Sequence, residues 1–88
     1  MTTVTILYRN TGGAIENLGI KDAVSGKMHN IGYLEANGGD RLDRINVRDA
    51  AVLVAEIEIY YDDVQKFPAQ KIKHGGNVDV YTGRVSDP

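Results

Sequence analysis

Cysteine is absent from this 88-residue sequence. With it go disulfide staples, thiolate metal sites and any cysteine nucleophile, and a small domain without staples suits a reducing compartment. Histidine occurs only as His29 and His74. Neither falls in a His-x-His or His-x-x-x-His spacing that would put two imidazoles on one metal, so surface or hydrogen-bonded roles suit them better than catalysis. The only serines are Ser25 and Ser86; neither sits in a Gly-x-Ser-x-Gly elbow, and a hydrolytic triad is not expected.

Long apolar runs are also missing. No stretch reaches the roughly 18 residues of a membrane span, and MTTVTILYRN has neither the basic start nor the apolar run of a secretory leader. The expected compartment is the cytoplasm, although a secreted chain stripped of its leader would read the same. Basic clusters are lacking too, with a net charge of −2. The densest group, Arg41, Arg44 and Arg48, is interleaved with Asp40, Asp43 and Asp49. That local field largely cancels, and nucleic acid is not an expected partner. No Gly-x-x-x-x-Gly-Lys or Gly-x-Gly-x-x-Gly loop occurs, so the paired glycines at 12-13, 38-39 and 75-76 read as turns and no cofactor is expected.

What is present is β-strand patterning. Ala50 to Tyr61, AAVLVAEIEIYY, is rich in Val, Ile and Tyr and closes on Asp62-Asp63, which predicts a central buried strand. One face is wholly apolar, with Ala51, Leu53, Ala55, Ile57, Ile59 and Tyr61. The other carries Val52, Val54, Glu56, Glu58 and Tyr60, so cover on both sides is expected near Val52 and Val54, and solvent near the glutamates. Around it, Thr2–Arg9, Ala14–Lys21, Lys27–Leu34, Arg41–Val47, Val64–Lys73 and Val78–Thr82 read as further strands. Ile15, Leu18 and Ile20 share one face only if a β-bulge lies near Asn17. The charges of Arg41–Val47 suggest an edge strand with Ile45 and Val47 inward. Pro68 predicts a break or an edge, and 84–88 a short polar tail after a domain spanning 1–83.

No segment keeps a helical period over three turns. The expected fold is therefore all-β: a single antiparallel sandwich of about six to eight short strands, or failing that a small barrel. The turn from Leu34 through Gly38-Gly39 to Asp40 resembles the Leu-x-Pro-Gly-acid turn of many immunoglobulin-like and fibronectin-like bacterial domains, with the proline missing and the glycine doubled. That resemblance implies an immunoglobulin-like or transthyretin-like outline and nothing about activity.

The function this pattern favours is a non-catalytic interaction or structural module with a protein partner, a homodimer included, whose surface is Val52, Val54 and Tyr60. A second reading is a carbohydrate- or small-ligand-binding module using Tyr33, Tyr60 or Tyr81, since exposed tyrosines can stack on sugar rings. A third is Ca²⁺ held by Asp40, Asp43, Asp62 and Asp63 if loops converge, against the simpler fact that Asp suits turns. Glu56 and Glu58 lie about 7 Å apart along one strand face, and cross-strand pairing with Lys or Arg explains them more simply. An enzyme would need His29 or His74 within hydrogen-bond reach of a carboxylate.

Overall fold

The computed structural model describes residues 2–88. Among them the chain forms nine strands and no helix: β1 (Thr3–Arg9), β2 (Ile15–Asp22), β3 (Met28–Leu34), β4 (Gly39–Asp49), β5 (Val54–Tyr61), β6 (Val64–Gln65), β7 (Gln70–Lys73), β8 (Asn77–Asp79) and β9 (Val85–Ser86).

β1 and β5 bury alternate residues, as the pleat dictates. Val4, Ile6 and Tyr8 point inward from β1, and Ala55, Ile57 and Ile59 from β5. On β2, Ile15, Leu18 and Ile20 are all buried because the register with β3 shifts between Ile15 and Leu18, where the expected bulge falls. Leu34, Ile45, Val47, Ile72, Val78 and Val80 complete the core. Each fully buried branched side chain contributes about 1.5 to 3 kcal/mol, which is what holds a chain of this size together.

β5 organises the architecture. Its residue Val54 pairs with both Asp49 of β4 and Lys73 of β7, so those strands lie on opposite edges of β5. The β4 edge is shared: β2 pairs with Ile57 to Tyr61, and β4 takes over at Ala55 and Val54. From there β4 leaves the sheet and pairs along its other half with β1, which continues to β8 and β9. One strand thus belongs to both layers and forms a corner.

A second corner lies where β7, on β5, passes into β8, on β1. The chain turns through His74–Gly76, with Gly75 N–H donating to the Thr5 carbonyl (2.7 Å) and Leu7 N–H to the Gly76 carbonyl (2.9 Å). Gly75 has a φ of 78°, and a Cβ on Gly76 would lie 2.9 Å from both Ile72 Cγ1 and the Lys73 carbonyl oxygen. Only paired glycines fit this passage. The nine strands thus form one open, mixed sheet, folded at these two corners into a shape that fits a small sandwich or barrel.

Asp22 secures the first corner, at the point where β2 gives way to β4. It is fully buried. One carboxylate oxygen accepts from the Val24 (2.9 Å) and Ser25 (3.2 Å) N–H groups, the other from the N–H (2.9 Å) and side-chain amide (2.8 Å) of Asn46 on β4. Burial by itself would raise its pKa; the four donors outweigh it and hold the group below the usual carboxylate value.

The all-β expectation stands, with four differences of detail. The central strand begins at Val54, not Ala50, because Asp49 caps a turn: its side chain accepts from Ala51 N–H (2.9 Å), and Leu53 takes a φ of 51°. Ala51 and Leu53 therefore do not continue the inward face, and Val52 is uncovered. β4 is not an edge, since β1 and β5 flank it; its outward charges face solvent instead. The β1–β8 pair is parallel, which makes the sheet mixed. Val85 and Ser86, expected in a polar tail, pair with Val78 and Asn77 as β9.

Candidate functional site

The strands run between two ends of the molecule. One end carries the loops 10–14, 35–38, 62–63 and 80–84, and the other carries the turns 23–27, 50–53 and 74–75.

At the second end the β4–β5 turn exposes four consecutive apolar residues, Ala50, Ala51, Val52 and Leu53. Val52 is 58% and Leu53 40% exposed. A hairpin tip is ordinarily built of polar turn residues, and four apolar ones in a row leave apolar surface in solvent. The tip leads into a shallow groove of about 220 Å³ walled by Arg48, Asp49, Val52, Val54, Glu56 and Lys71. Arg48 Nε donates to Glu56 Oε1 at 2.8 Å. Lys71 stands opposite Glu56 across the β5–β7 pair. The rim thus carries two positive and two negative side chains around an apolar floor.

Val52 and Val54, expected to share a partner surface, do meet in this groove. Tyr60 does not join them. It lies six residues along the same face of β5, roughly 20 Å away, where its hydroxyl donates to Glu58 (2.7 Å) and the Lys21 ammonium stands 5.9 Å over its ring. Glu58 accepting this bond comes first, and burial second, in holding the Tyr60 pKa above its ordinary value. Glu56 is thus engaged across strands by Arg48, in the way that cross-strand pairing anticipates, whereas Glu58 accepts from Tyr60 on its own strand.

The tyrosines proposed for a ligand are dispersed. Tyr33 is 65% exposed on β3, and Tyr81 is 53% exposed at the loop end. Tyr81 instead meets Tyr61, which the sequence placed in the core and which is only partly buried. The two line a pocket of about 300 Å³ with Gly13, Ala14, Ile15, Glu16 and Asp62.

The aspartates proposed for Ca²⁺ do not converge. Asp43 accepts from the Thr5 hydroxyl (2.8 Å) and lies 3.4 Å from Arg41, Asp40 accepts from its neighbour's N–H, and Asp62 and Asp63 occupy left-handed turn positions. Among the described residues no three His, Asp or Glu side chains gather as a metal's donor set. His74 Nδ1 accepts from Thr5 N–H (3.1 Å) and helps to fix the second corner. His29 faces inward opposite Ile20, and its Nε2 is buried without a partner. Burial, then Lys27, lowers its pKa against an opposing pull from Asp22. Neither imidazole hydrogen-bonds a carboxylate.

Two residues that matter were not legible as such. One is Asp22. The other is Asn10, 1% exposed, whose side-chain amide donates to the Gly13 (2.9 Å) and Glu35 (3.2 Å) carbonyls while its oxygen accepts from Gly12 N–H (3.0 Å). It ties the loop after β1 to the β3–β4 turn. In sequence Asn10 opens the Asn10–Gly13 turn and Asp22 the Asp22–Gly26 loop, and both read as turn formers. That each bonds across to another segment needs the tertiary fold.

Comparison with known proteins finds no family model, no curated protein and no solved structure that matches this chain.

Proposed function

We propose that this protein is a non-catalytic interaction module of immunoglobulin-like outline that works by pairing with a second copy of itself through the β4–β5 tip and the adjoining groove. One observation carries the reading: four consecutive apolar residues stand exposed on a turn and run into an apolar-floored groove. Exposed apolar surface of this kind is the ordinary signature of an interface. A second copy is the favoured occupant because the rim, Arg48 and Lys71 against Asp49 and Glu56, is balanced in charge. Turned by a two-fold axis, such a patch meets its own complement; a strongly charged partner would find no steering field there. The patch is small, so the dimer is weak, on the order of 10 µM or weaker.

The test is molar mass by light scattering over a concentration series, on wild type and on Val52→Asp. Mass rising toward the dimer in wild type, and a folded monomer throughout in the variant, supports the reading. A wild type that stays monomeric into the millimolar range, or a variant that dimerises equally well, overturns it.

A further inference from the structure

We infer that the loop end carries a separate binding site for an organic ammonium group, formed by Tyr61 and Tyr81 with Glu16 and Asp62. It owes nothing to the β4–β5 tip, which lies at the opposite end of the strands.

The rings are held from behind. The Tyr61 hydroxyl donates to the Val80 carbonyl. Tyr81 lies flat on Gly12: a Cβ there would come within 2.1 to 2.3 Å of three of its ring carbons. The backbone around it is fixed in turn, since Asp79 accepts from Tyr81 N–H (3.0 Å) and Thr11 N–H (3.2 Å), and Asn10 secures the Gly12–Gly13 turn. Tyr81 nevertheless leaves about half of its surface open. An aromatic side chain fixed in orientation and still exposed loses little entropy when a ligand settles on it.

The charge of the pocket selects the ligand. Its only ionised walls are Glu16 and Asp62, and neither takes part in an ion pair among the described residues. Anions are repelled, and a cation gains both carboxylates and the exposed ring surface of Tyr81. The chain itself supplies a precedent: the Lys66 ammonium stands 5.1 Å from the Tyr61 ring centroid, and Lys66 is not among the pocket walls. The chemistry recognised is an alkylammonium of the kind Lys66 presents to Tyr61, namely a lysine side chain of a protein partner.

The experiment is an amide NMR titration of the whole chain with choline, with N-acetyl-lysine methylamide, and with the uncharged isostere of choline in which carbon replaces the ammonium nitrogen. The proposal expects saturable shifts at Gly13, Ala14, Glu16 and Asp62 with a dissociation constant on the order of 1 mM, and at least about tenfold weaker binding of the isostere. Tighter binding of the lysine derivative than of choline supports the protein side chain, and tighter binding of choline overturns that assignment in favour of a headgroup. Tyr81→Ala, and separately the charge-neutral pair Glu16→Gln with Asp62→Asn, should each weaken binding about tenfold, while Tyr33→Ala should not. Should Tyr81→Ala lose its folded spectrum, the neutral pair carries the test alone. Absence of shifts with either ammonium, or an isostere that binds as well as choline, overturns the proposal.

Discussion

Replacing Asp22 with asparagine keeps the shape of the side chain and removes its charge. One oxygen can still accept from Val24 and Ser25 N–H, but an amide NH₂ then faces the N–H and side-chain amide of Asn46, donor against donor. Hydrogen bonds to a charged acceptor are worth about 1.5 to 3 kcal/mol each net, and a buried donor left unmatched costs a further 1 to 3 kcal/mol. Allowing for relaxation at the corner, Asp22→Asn should lose about 3 kcal/mol, a large part of the roughly 5 to 10 kcal/mol a domain of this size holds. Urea unfolding should show it as a midpoint lower by about 2 to 3 M, with the slope unchanged near 1 kcal/mol per M.

The pH dependence supplies a second, independent reading. The folded pKa of Asp22 lies below its unfolded value, so its contribution is fully present above the unfolded pKa and is lost as pH falls through the folded one. The gap between wild type and Asp22→Asn should therefore be constant from pH 7 to about 5 and narrow as pH falls below about 4. A variant within about 0.5 kcal/mol of wild type, or a gap that does not narrow at low pH, would refute the view that this carboxylate locks β2 to β4.

Other outcomes follow from the same structure. Because burial lowers the folded pKa of His29, the unfolded state takes up a proton first as pH falls through about 6.5. Wild type should lose stability between pH 7 and 5, and His29→Leu, which removes the unpartnered Nε2 opposite Ile20, should flatten that loss in thermal melts. A variant as steep as wild type would show that another group titrates. Asn10→Ala strips partners from two carbonyls and one N–H and should cost about 2 to 3 kcal/mol, with amide exchange accelerated in both the 10–13 and 35–38 loops. Acceleration in only one of them would mean that Asn10 does not join the two.

Local patterning was enough for the fold class and for most inward faces, because the period of two is imposed by the pleat and survives any arrangement of strands. The bulge near Asn17 was legible for the same reason: Ile15, Leu18 and Ile20 cannot share a face without it. The start of β5 was not. Ala50 to Leu53 has strand composition, and its reversal depends on the Asp49 cap and on β4 running alongside. The parallel β1–β8 pair escaped similarly, since Val78 and Val80 alternate identically whichever way the strand points. Val52 and Val54, which line the groove, stood out in the sequence by their apolarity on a half-polar face. Tyr61 was assigned to the core because parity cannot tell that a strand's last residue reaches a rim.

Leu53 joins the local physics to the proposed function. It is a branched, apolar residue in left-handed backbone, with a φ of 51°, and 40% exposed; that conformation costs a non-glycine residue on the order of 1 kcal/mol. Its carbonyl accepts from His74 N–H (3.1 Å), a bond that any residue could make. Asparagine tolerates the same backbone and prefers solvent. If the tip serves only the monomer, Leu53→Asn should be neutral or stabilising by up to about 1 kcal/mol and leave the light-scattering mass unchanged. If the tip serves a second copy, stability of the dilute monomer should behave in the same way, while the concentration needed for dimerisation should rise about tenfold or more. A loss of more than about 1 kcal/mol in the dilute monomer would mean that Leu53 packs within its own chain, and the tip would then be structure and not surface.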